Sequence, residues 1–516
     1  MTASALHPLS RVLEFTARGW WGPETVDGLF RRQVRERPGA LAVVDSPEKV
    51  ELTGIAPHRW SWARLHVEVD RLAALLQRNG VGPGDIVGVQ LPGCVELVAT
   101  FLAVVRLGGV VCPLPARYRE YELRALLPLA GVRTLVTATR IGGRRPAGVA
   151  RQVCGDVVTV LAFGPKVPRR VVAVDAAERA VPVGGYEADP NHCVSICWTS
   201  GTEGTPKAVP RAHYDWLAIA RACAGAVALA ADDVIVNAFP LVNVAGIAGA
   251  VLPWLLSGCR LVAGQPVDLV RQISAEHVTC AVVPPALLAS LVRRELPSVR
   301  AMVGSGSLSP GVVREWQERR GVPVVSFFGS CEGTVLFSTA ADVADPEARA
   351  RLFPRGALRM RLVDPVSERE ITEPGRVGEL RVAGPTVFPG YLLGTGDDPF
   401  DELGFLRTGD LFEFVGPLLR YVDRVRDVIV RDGVRVVPSA VESALAEHPL
   451  VAEAAVVASP EGEVCAFVVA DVLDDEAVRE HLRGRGVAVP DRFEMVDALP
   501  RTFAGTLVRR ELRRRL

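Results

Sequence analysis

The densest run of reactive side chains in the chain is residues 199–207, Thr199-Ser200-Gly201-Thr202-Glu203-Gly204-Thr205-Pro206-Lys207. A loop that holds a polyphosphate needs bare backbone N–H groups and close approach, which glycine allows. Hydroxyl donors and one cation add to the grip, and this segment supplies all of them. It is not the Walker pattern, because Gly201 and Gly204 are three apart and neither Ser nor Thr follows Lys207. The bland alternative is a Thr/Gly loop with no ligand. Against it stands Lys207 itself, one of three lysines (with Lys49 and Lys166) in a chain that carries 56 arginines.

Such a loop needs rigid elements to aim it. The apolar run Val194–Trp198 reads as a strand leading into it. Upstream, residues 62–80 put Leu65, Val69, Leu72, Leu75 and Leu76 on one helical stripe that stops at Gly80. Strand 86–91, helix 96–107 and strand 110–114 follow, a βαβ unit that implies a parallel sheet. The alternation recurs with strand 234–239, helix 248–256 and strands at 260–263, 281–283 and 324–327. Residues 376–391 change to short alternating segments, which suit a small antiparallel barrel. Beyond about residue 426 the pattern becomes helix 438–447, strands 454–458 and 464–470, and helix 475–483, an α+β tail. The terminal RRELRRRL reads as a solvated helix.

At 516 residues the chain is too long for one core. About half of it is hydrophobic, enough for a large interior, and its formal net charge is zero. A neutral chain has no global field to attract nucleic acid or an anionic membrane, so neither is expected as a partner. The N-terminal residues lack a basic start followed by an apolar run, and no apolar stretch is long enough to span a bilayer; a cytoplasmic location is expected. The ten cysteines lack paired metal-ligand spacing and read as inert thiols in a reducing compartment.

The loop, read as TSGTEGTPKA, resembles the TSG[ST]TGxPKG motif of the ANL superfamily: acyl- and aryl-CoA synthetases, nonribosomal adenylation domains and luciferases. Its continuation VPRAHYDW is similar to that of stand-alone aryl-acid ligases of the 2,3-dihydroxybenzoate–AMP type. Ser305-Gly306-Ser307-Leu308, Phe328-Gly329-Ser330-Cys331-Glu332-Gly333, Gly378-Glu379-Leu380 through Gly390-Tyr391, Arg407-Thr408-Gly409-Asp410, Asp423–Asp427 and Leu499–Gly505 resemble the family's further motifs, in order. The resemblance implies an α/β fold: a large N-terminal domain (1–426) of two doubly wound αβ subdomains plus a small β-barrel, then a small mobile α+β lid (427–516). It implies that ATP and Mg²⁺ are used to turn a small, aromatic carboxylic acid into an acyl-AMP.

By the same resemblance, Thr199, Ser200, Gly201, Thr202, Gly204 and Lys207 would hold the phosphates. Gly306, Ser307, Phe328 and Gly329 would contact adenine, Asp410 and Arg424 the ribose, and Glu332 the metal. Lys207, Glu332 and Arg424 would be catalytic. Asn243, Val244, Gly249, Ser305, Gly306 and Cys331 would line the acyl site, and Asp427 would be the hinge. The acyl group would pass to an amine, or to the thiol of a carrier protein or CoA.

Several positions depart from the pattern. The family's last motif ends Gly-Lys, whereas Gly505 is followed by Thr506. That lysine serves the adenylation step in the family, so Arg501, Arg509 or Arg510 would have to supply charge, or adenylation is slow, or it is lost. Pro240-Leu241-Val242-Asn243 replaces the family's PLxH, and Val244 stands where dihydroxybenzoate enzymes have Asn. A pocket for an ortho-hydroxyl needs a polar partner there. Asp432 replaces a glycine in the hinge-side loop, an added carboxylate that disfavours anionic CoA. Two alternatives follow: a member that adenylates another oxyanion such as nitrite, or a degenerate nucleotide-binding relative.

Overall fold

The computed structural model describes residues 5–174, 183–184, 186–199, 206–264, 268–305, 308–392, 398–431, 433–501 and 507–516. The chain divides into two compact units. One is built from residues 1–199, 207–350 and 385–398, and the other chiefly from 351–384 and 399–516.

The first unit holds two sheets. In the eight-stranded sheet, Leu41–Asp45, Arg260–Ala263, Val234–Asn237, Cys280–Val283, Ala301–Ser305 and Val324–Gly329 run parallel in that order, with antiparallel strands Arg59–Ser61 and Val335–Ser338 at the edges. In the seven-stranded sheet, Val172–Ala173, Thr159–Phe163, Thr134–Ala138, Ile86–Val89, Val110–Pro113 and Cys193–Trp198 are parallel, and Ala208–Ala212 closes the edge antiparallel. The near-continuous Val/Ile/Leu content of these strands reflects burial on both faces. The helix Trp62–Arg78 is started by Ser61, whose hydroxyl accepts from the Arg64 N–H, and the predicted stripe of Leu65, Val69, Leu72 and Leu76 is buried.

One helix differs from its sequence pattern. The predicted 248–256 segment begins earlier, as an α-turn Val244–Gly246, passes through a π-helical turn Ile247–Val251 and resumes as Leu252–Ser257. Asn243 caps its start, its side-chain oxygen accepting from the Gly246 N–H at 3.1 Å. Apolar periodicity does not report the extra residue of a π turn, a feature frequent at functional sites.

The second unit contains a six-stranded antiparallel sheet in the order Leu352–Pro354, Leu418–Arg424, Leu406–Val415, Val377–Ala383, Arg359–Val363 and Glu370–Ile371. It also contains the α+β tail. There the helices Pro438–Ala446 and Asp475–Gly484 cover a three-stranded sheet of Glu453–Ala458, Val464–Val469 and Arg492–Met495. Val441, Leu445, Val456, Val468, Val478 and Leu482 form their shared core.

The basic C-terminus corrects an expectation. Arg509–Arg513 is helical, but it is not a solvated helix. Leu512 is fully buried, Arg509 forms an ion pair with Glu442 and donates to the Val456 carbonyl at 2.8 Å, and Arg513 Nη2 lies 3.1 Å from Asp427. Charge content alone cannot reveal that carboxylates elsewhere in the fold await these guanidinium groups.

Candidate active site

The strands that flank the phosphate-loop candidate belong to the first unit. Strands Cys193–Trp198 and Ala208–Ala212 pair antiparallel, with Trp198 opposite Ala208. The loop is closed at its base by two bonds: Thr199 N–H donates to the Lys207 carbonyl at 3.1 Å, and Lys207 N–H donates to Thr199 Oγ1 at 2.9 Å. Thr199 and Lys207 are thus held together while the residues between them form the connection. Ser200, Gly201, Thr202 and Gly204 lie outside the described residues, as do Gly306, Ser307, Asp432 and Thr506.

Lys207 and Glu332 meet through a residue that the sequence reading left without a role. The Lys207 ammonium sits over the Tyr391 ring, 4.7 Å from its centroid. The Tyr391 hydroxyl donates to Glu332 Oε1 at 2.8 Å. Burial, and then the nearby Glu332 carboxylate, push the Tyr391 phenol above its ordinary range, so it is a donor at any physiological pH. A cation and a carboxylate are therefore set on either side of one phenol, neither locked in a direct ion pair with the other.

The backbone around Glu332 is fixed by the returning segment 385–391. Phe388 N–H donates to the Glu332 carbonyl at 2.9 Å, and Thr386 Oγ1 donates to the Gly333 carbonyl at 2.7 Å. Gly333 has φ +106°, and a Cβ there would stand 1.9 Å from the Thr386 oxygen. Both the positive φ and the close approach require glycine.

The acyl-site candidates lie beside this. Val244 is buried, and its Cγ1 is 3.5 Å from where a Cβ on Gly329 would stand. Gly249 lies in the π turn and its carbonyl accepts from the Cys223 thiol at 3.3 Å. Ser305 ends its strand opposite Phe327, whose ring stacks on Phe337 at 4.7 Å. Phe328 alternates to the other face and pairs with Leu336. Cys331 Sγ lies 3.6 Å from the Trp198 carbonyl, which ties the Glu332 segment to the strand that leads into the loop.

The second unit carries the ribose candidates. Asp410 and Arg424 are cross-strand partners, with Nε 3.4 Å from Oδ1. A bulge after Leu411 shifts the register beside them, and such bulges commonly re-aim side chains. Glu379 holds the strand backbone just before Asp410, accepting from Gly409 N–H at 3.0 Å and Arg381 Nε at 3.2 Å. Asp427 is buried and paired with Arg513 and, at 3.5 Å, Arg509. Of the arginines considered as substitutes for the missing lysine, Arg509 is taken by Glu442 and Asp427, and Arg501 pairs with Glu453 at 2.6 Å.

The donor set fits a divalent cation and a polyphosphate. Glu332 is half-buried, and its carboxylate offers about four lone-pair sites, of which Tyr391 takes one. Hard oxygen ligands of this type suit Mg²⁺. Among the described residues there is no cluster of His, Cys, Asp and Glu that could form a separate metal centre, and no helix is long and apolar enough to cross a membrane. All ten cysteines are free thiols.

Comparison with known proteins bears on this arrangement. Residues 30–392 match the model of the AMP-binding enzyme family, and residues 440–506 match the AMP-binding enzyme C-terminal domain. The chain is 31% identical to Triostin synthetase I of Streptomyces triostinicus, covering 97% of this chain and 96% of that one. It is also 31% identical to the salicyl-AMP ligase / salicyl-S-ArCP synthetase of Mycobacterium tuberculosis, over 99% of this chain and 94% of the relative. The apo structure of MbtA from Mycobacterium smegmatis superposes with a TM-score of 0.72 at 28% identity, covering 100% of this chain and 99% of that one. With the family model spanning well over half of its length, the chain belongs to the AMP-binding enzymes of the ANL superfamily and is an adenylate-forming ligase that uses ATP and Mg²⁺.

Proposed function

We propose that this ligase converts a small aromatic carboxylic acid and ATP into an acyl-AMP and pyrophosphate, and passes the acyl group to an amine or to a carrier-protein or CoA thiol. The observation that carries the reading is the Lys207–Tyr391–Glu332 constellation at the closed base of the 199–207 loop. A carboxylate is a poor electrophile, because its leaving group would be oxide. Attack of its oxygen on the α-phosphate, with pyrophosphate leaving, creates a mixed anhydride whose leaving group is AMP. The protein's task is to align the reactants and neutralise the charge on the phosphoryl oxygens.

In this reading the loop residues Thr199, Ser200, Gly201, Thr202 and Gly204 cradle the β- and γ-phosphates. Lys207 exchanges the Tyr391 ring for a phosphate oxygen. Glu332 is the magnesium ligand, held in orientation by the Tyr391 hydroxyl. When bound, Mg²⁺ supplies charge neutralisation across the phosphates. Asp410 and Arg424 bind the ribose, Phe328 and Gly329 flank adenine, and Asp427 is the hinge. Val244 and Gly249 contribute an apolar wall to the acid pocket. Because Asn243 uses its side-chain oxygen as a helix cap, its amide nitrogen is the group left to donate to a polar substituent. The relative named as a salicyl-AMP ligase supports an aryl acid as the substrate class.

A second reading, a nucleotide-binding relative with impaired adenylation, is favoured by Thr506 and by the ion pairs that hold Arg501 and Arg509. Acid-dependent pyrophosphate release separates the two. A panel of benzoic, hydroxybenzoic, aminobenzoic and heteroaryl acids, with nitrite included, should give release with at least one aryl acid. No release with any member, while calorimetry still shows ATP binding, would replace the first reading by the second.

A further inference from the structure

Arg211 is fully buried on the strand Ala208–Ala212. Its guanidinium donates to the Thr386 carbonyl at 2.7 Å and to the Cys331 carbonyl, and Nη1 pairs with Asp215 Oδ2 at 3.1 Å. Those two carbonyls belong to the two segments that meet at Glu332. One guanidinium thus pins both sides of the candidate metal site from behind. Arg is suited to this, because its planar fork serves several acceptors in fixed geometry.

The same segment is gripped from a second direction by the N-terminal residues, which precede the family-model match at residue 30. Trp21 Nε1–H donates to the Pro385 carbonyl at 3.0 Å, and Arg11 donates to the Val387 carbonyl. Three consecutive carbonyls, 385, 386 and 387, are therefore bound by Trp21, Arg211 and Arg11 in turn. His7 completes the arrangement, with Nε2 3.7 Å from the Asp215 carboxylate. The N-terminal segment is itself secured: His7 and Asn191 exchange two 2.9 Å bonds, and Trp21 stacks on Tyr214 at 4.5 Å. Polar donors from two directions thus converge on successive carbonyls of one turn.

We propose that Arg211, braced by Asp215, is a positioning residue for Glu332, and that Trp21 and Arg11 of the N-terminal segment share this function by fixing the stretch that carries Tyr391. Through Phe388 N–H and the Tyr391 hydroxyl, that stretch sets where the Glu332 carboxylate points. The proposal rests on Glu332 being the magnesium ligand. Groups that orient a metal ligand typically change metal affinity about 10–100-fold when removed.

The test measures ATP affinity by calorimetry across a MgCl₂ series and in EDTA, for Arg211→Lys, Trp21→Phe and Glu332→Gln, with thermal unfolding alongside. Arg211→Lys keeps the charge but replaces the planar fork by a single tetrahedral ammonium, which does not reproduce the spread of the two carbonyls and Asp215. Trp21→Phe keeps the stacked ring and deletes one N–H. The MgCl₂ concentration that half-restores tight ATP binding should rise about 10–100-fold in Arg211→Lys and severalfold in Trp21→Phe, with metal-free ATP binding unaltered. Should Arg211→Lys fail to fold, Trp21→Phe decides. A shift in Glu332→Gln with none in the other two overturns the positioning role and leaves the magnesium assignment standing. No shift in Glu332→Gln removes the assignment beneath it, and the proposal with it.

Discussion

With Lys207 changed to Met, ATP should bind about tenfold more weakly, and the size follows from what the ammonium gives up as well as what it gains. In the structure the ammonium lies 4.7 Å from the centroid of the Tyr391 ring. At a half-exposed site that contact contributes roughly 0.5–1 kcal/mol. A charge-assisted hydrogen bond to phosphate contributes roughly 1.5–3 kcal/mol. The surplus, on the order of 1.5 kcal/mol, corresponds to about a factor of ten in Kd. Met preserves the length and apolar character of the stem, so packing is little disturbed. Tyr391→Leu in the same assay removes the ring that competes for the ammonium. A double-mutant cycle between the two positions should therefore return a coupling of roughly 0.5–1 kcal/mol. Calorimetry with ATP in EDTA isolates these terms from the metal. If Lys207→Met binds ATP as tightly as the parent, the loop assignment is wrong; if the cycle gives zero coupling, the resting contact with Tyr391 has no energetic weight.

Other outcomes follow from the same geometry. Burial lowers His213 to about 3, with its Nδ1 accepting from Val26 N–H, and His7 is lowered by burial against the pull of Asp215. Because an unfolded imidazole titrates near 6.5, the unfolded chain takes up protons that the fold refuses as pH falls below that value. Stability should be full well above pH 6.5 and decline below it by about 1.4 kcal/mol per pH unit for His213, with His7 adding in the same direction; urea denaturation between pH 7.5 and 5.5 checks this, and a flat profile refutes it. Arg509→Met should destabilise by about 1–3 kcal/mol, because it leaves the partly buried Glu442 carboxylate with only the Val456 N–H; an unaltered lowest-melting transition would contradict that. Gly333→Ala should abolish ATP-dependent activity, since its Cβ meets the Thr386 oxygen; a normal turnover rate would show that the segment can relax. Thr506→Lys should speed acyl-AMP formation about tenfold or more, measured by single-turnover pyrophosphate release, given that one transition-state donor is typically worth 10²–10³ in rate. An unchanged rate would mean that the charge comes from elsewhere.

What could be read from the chain beforehand was what local pattern encodes. Short apolar runs between Gly and Pro turns located seven of the fifteen strands in the two sheets of the first unit, and the 3.6 period located the helix Trp62–Arg78. The loop reading came from glycines, hydroxyls and a rare lysine adjacent in sequence, and its residues 200–205 lie outside the described residues. What stayed hidden depends on residues far apart. Tyr391 lies 59 positions from Glu332, and Arg211 reaches a carbonyl 175 positions away. A backbone carbonyl has no identity in a sequence, so a guanidinium that binds two of them leaves no signature. Arg509 and Arg513 looked like a solvated basic tail for the same reason: their partners, Glu442 and Asp427, are brought to them only by the fold.

If the proposed acid pocket is walled by Val244 and Gly249, the π turn at Ile247–Val251 governs any effort to redirect which acid is accepted. A π turn closes its hydrogen bonds one residue later than an α turn, while each helical residue advances about 100° around the axis. Side chains beyond Val251 consequently project where a regular helix, started at the same point, would aim their neighbours. Grafting single residues from a relative whose helix lacks the turn would set a new ring or donor against the wrong wall. The stretch 244–252 has to be transplanted as one block.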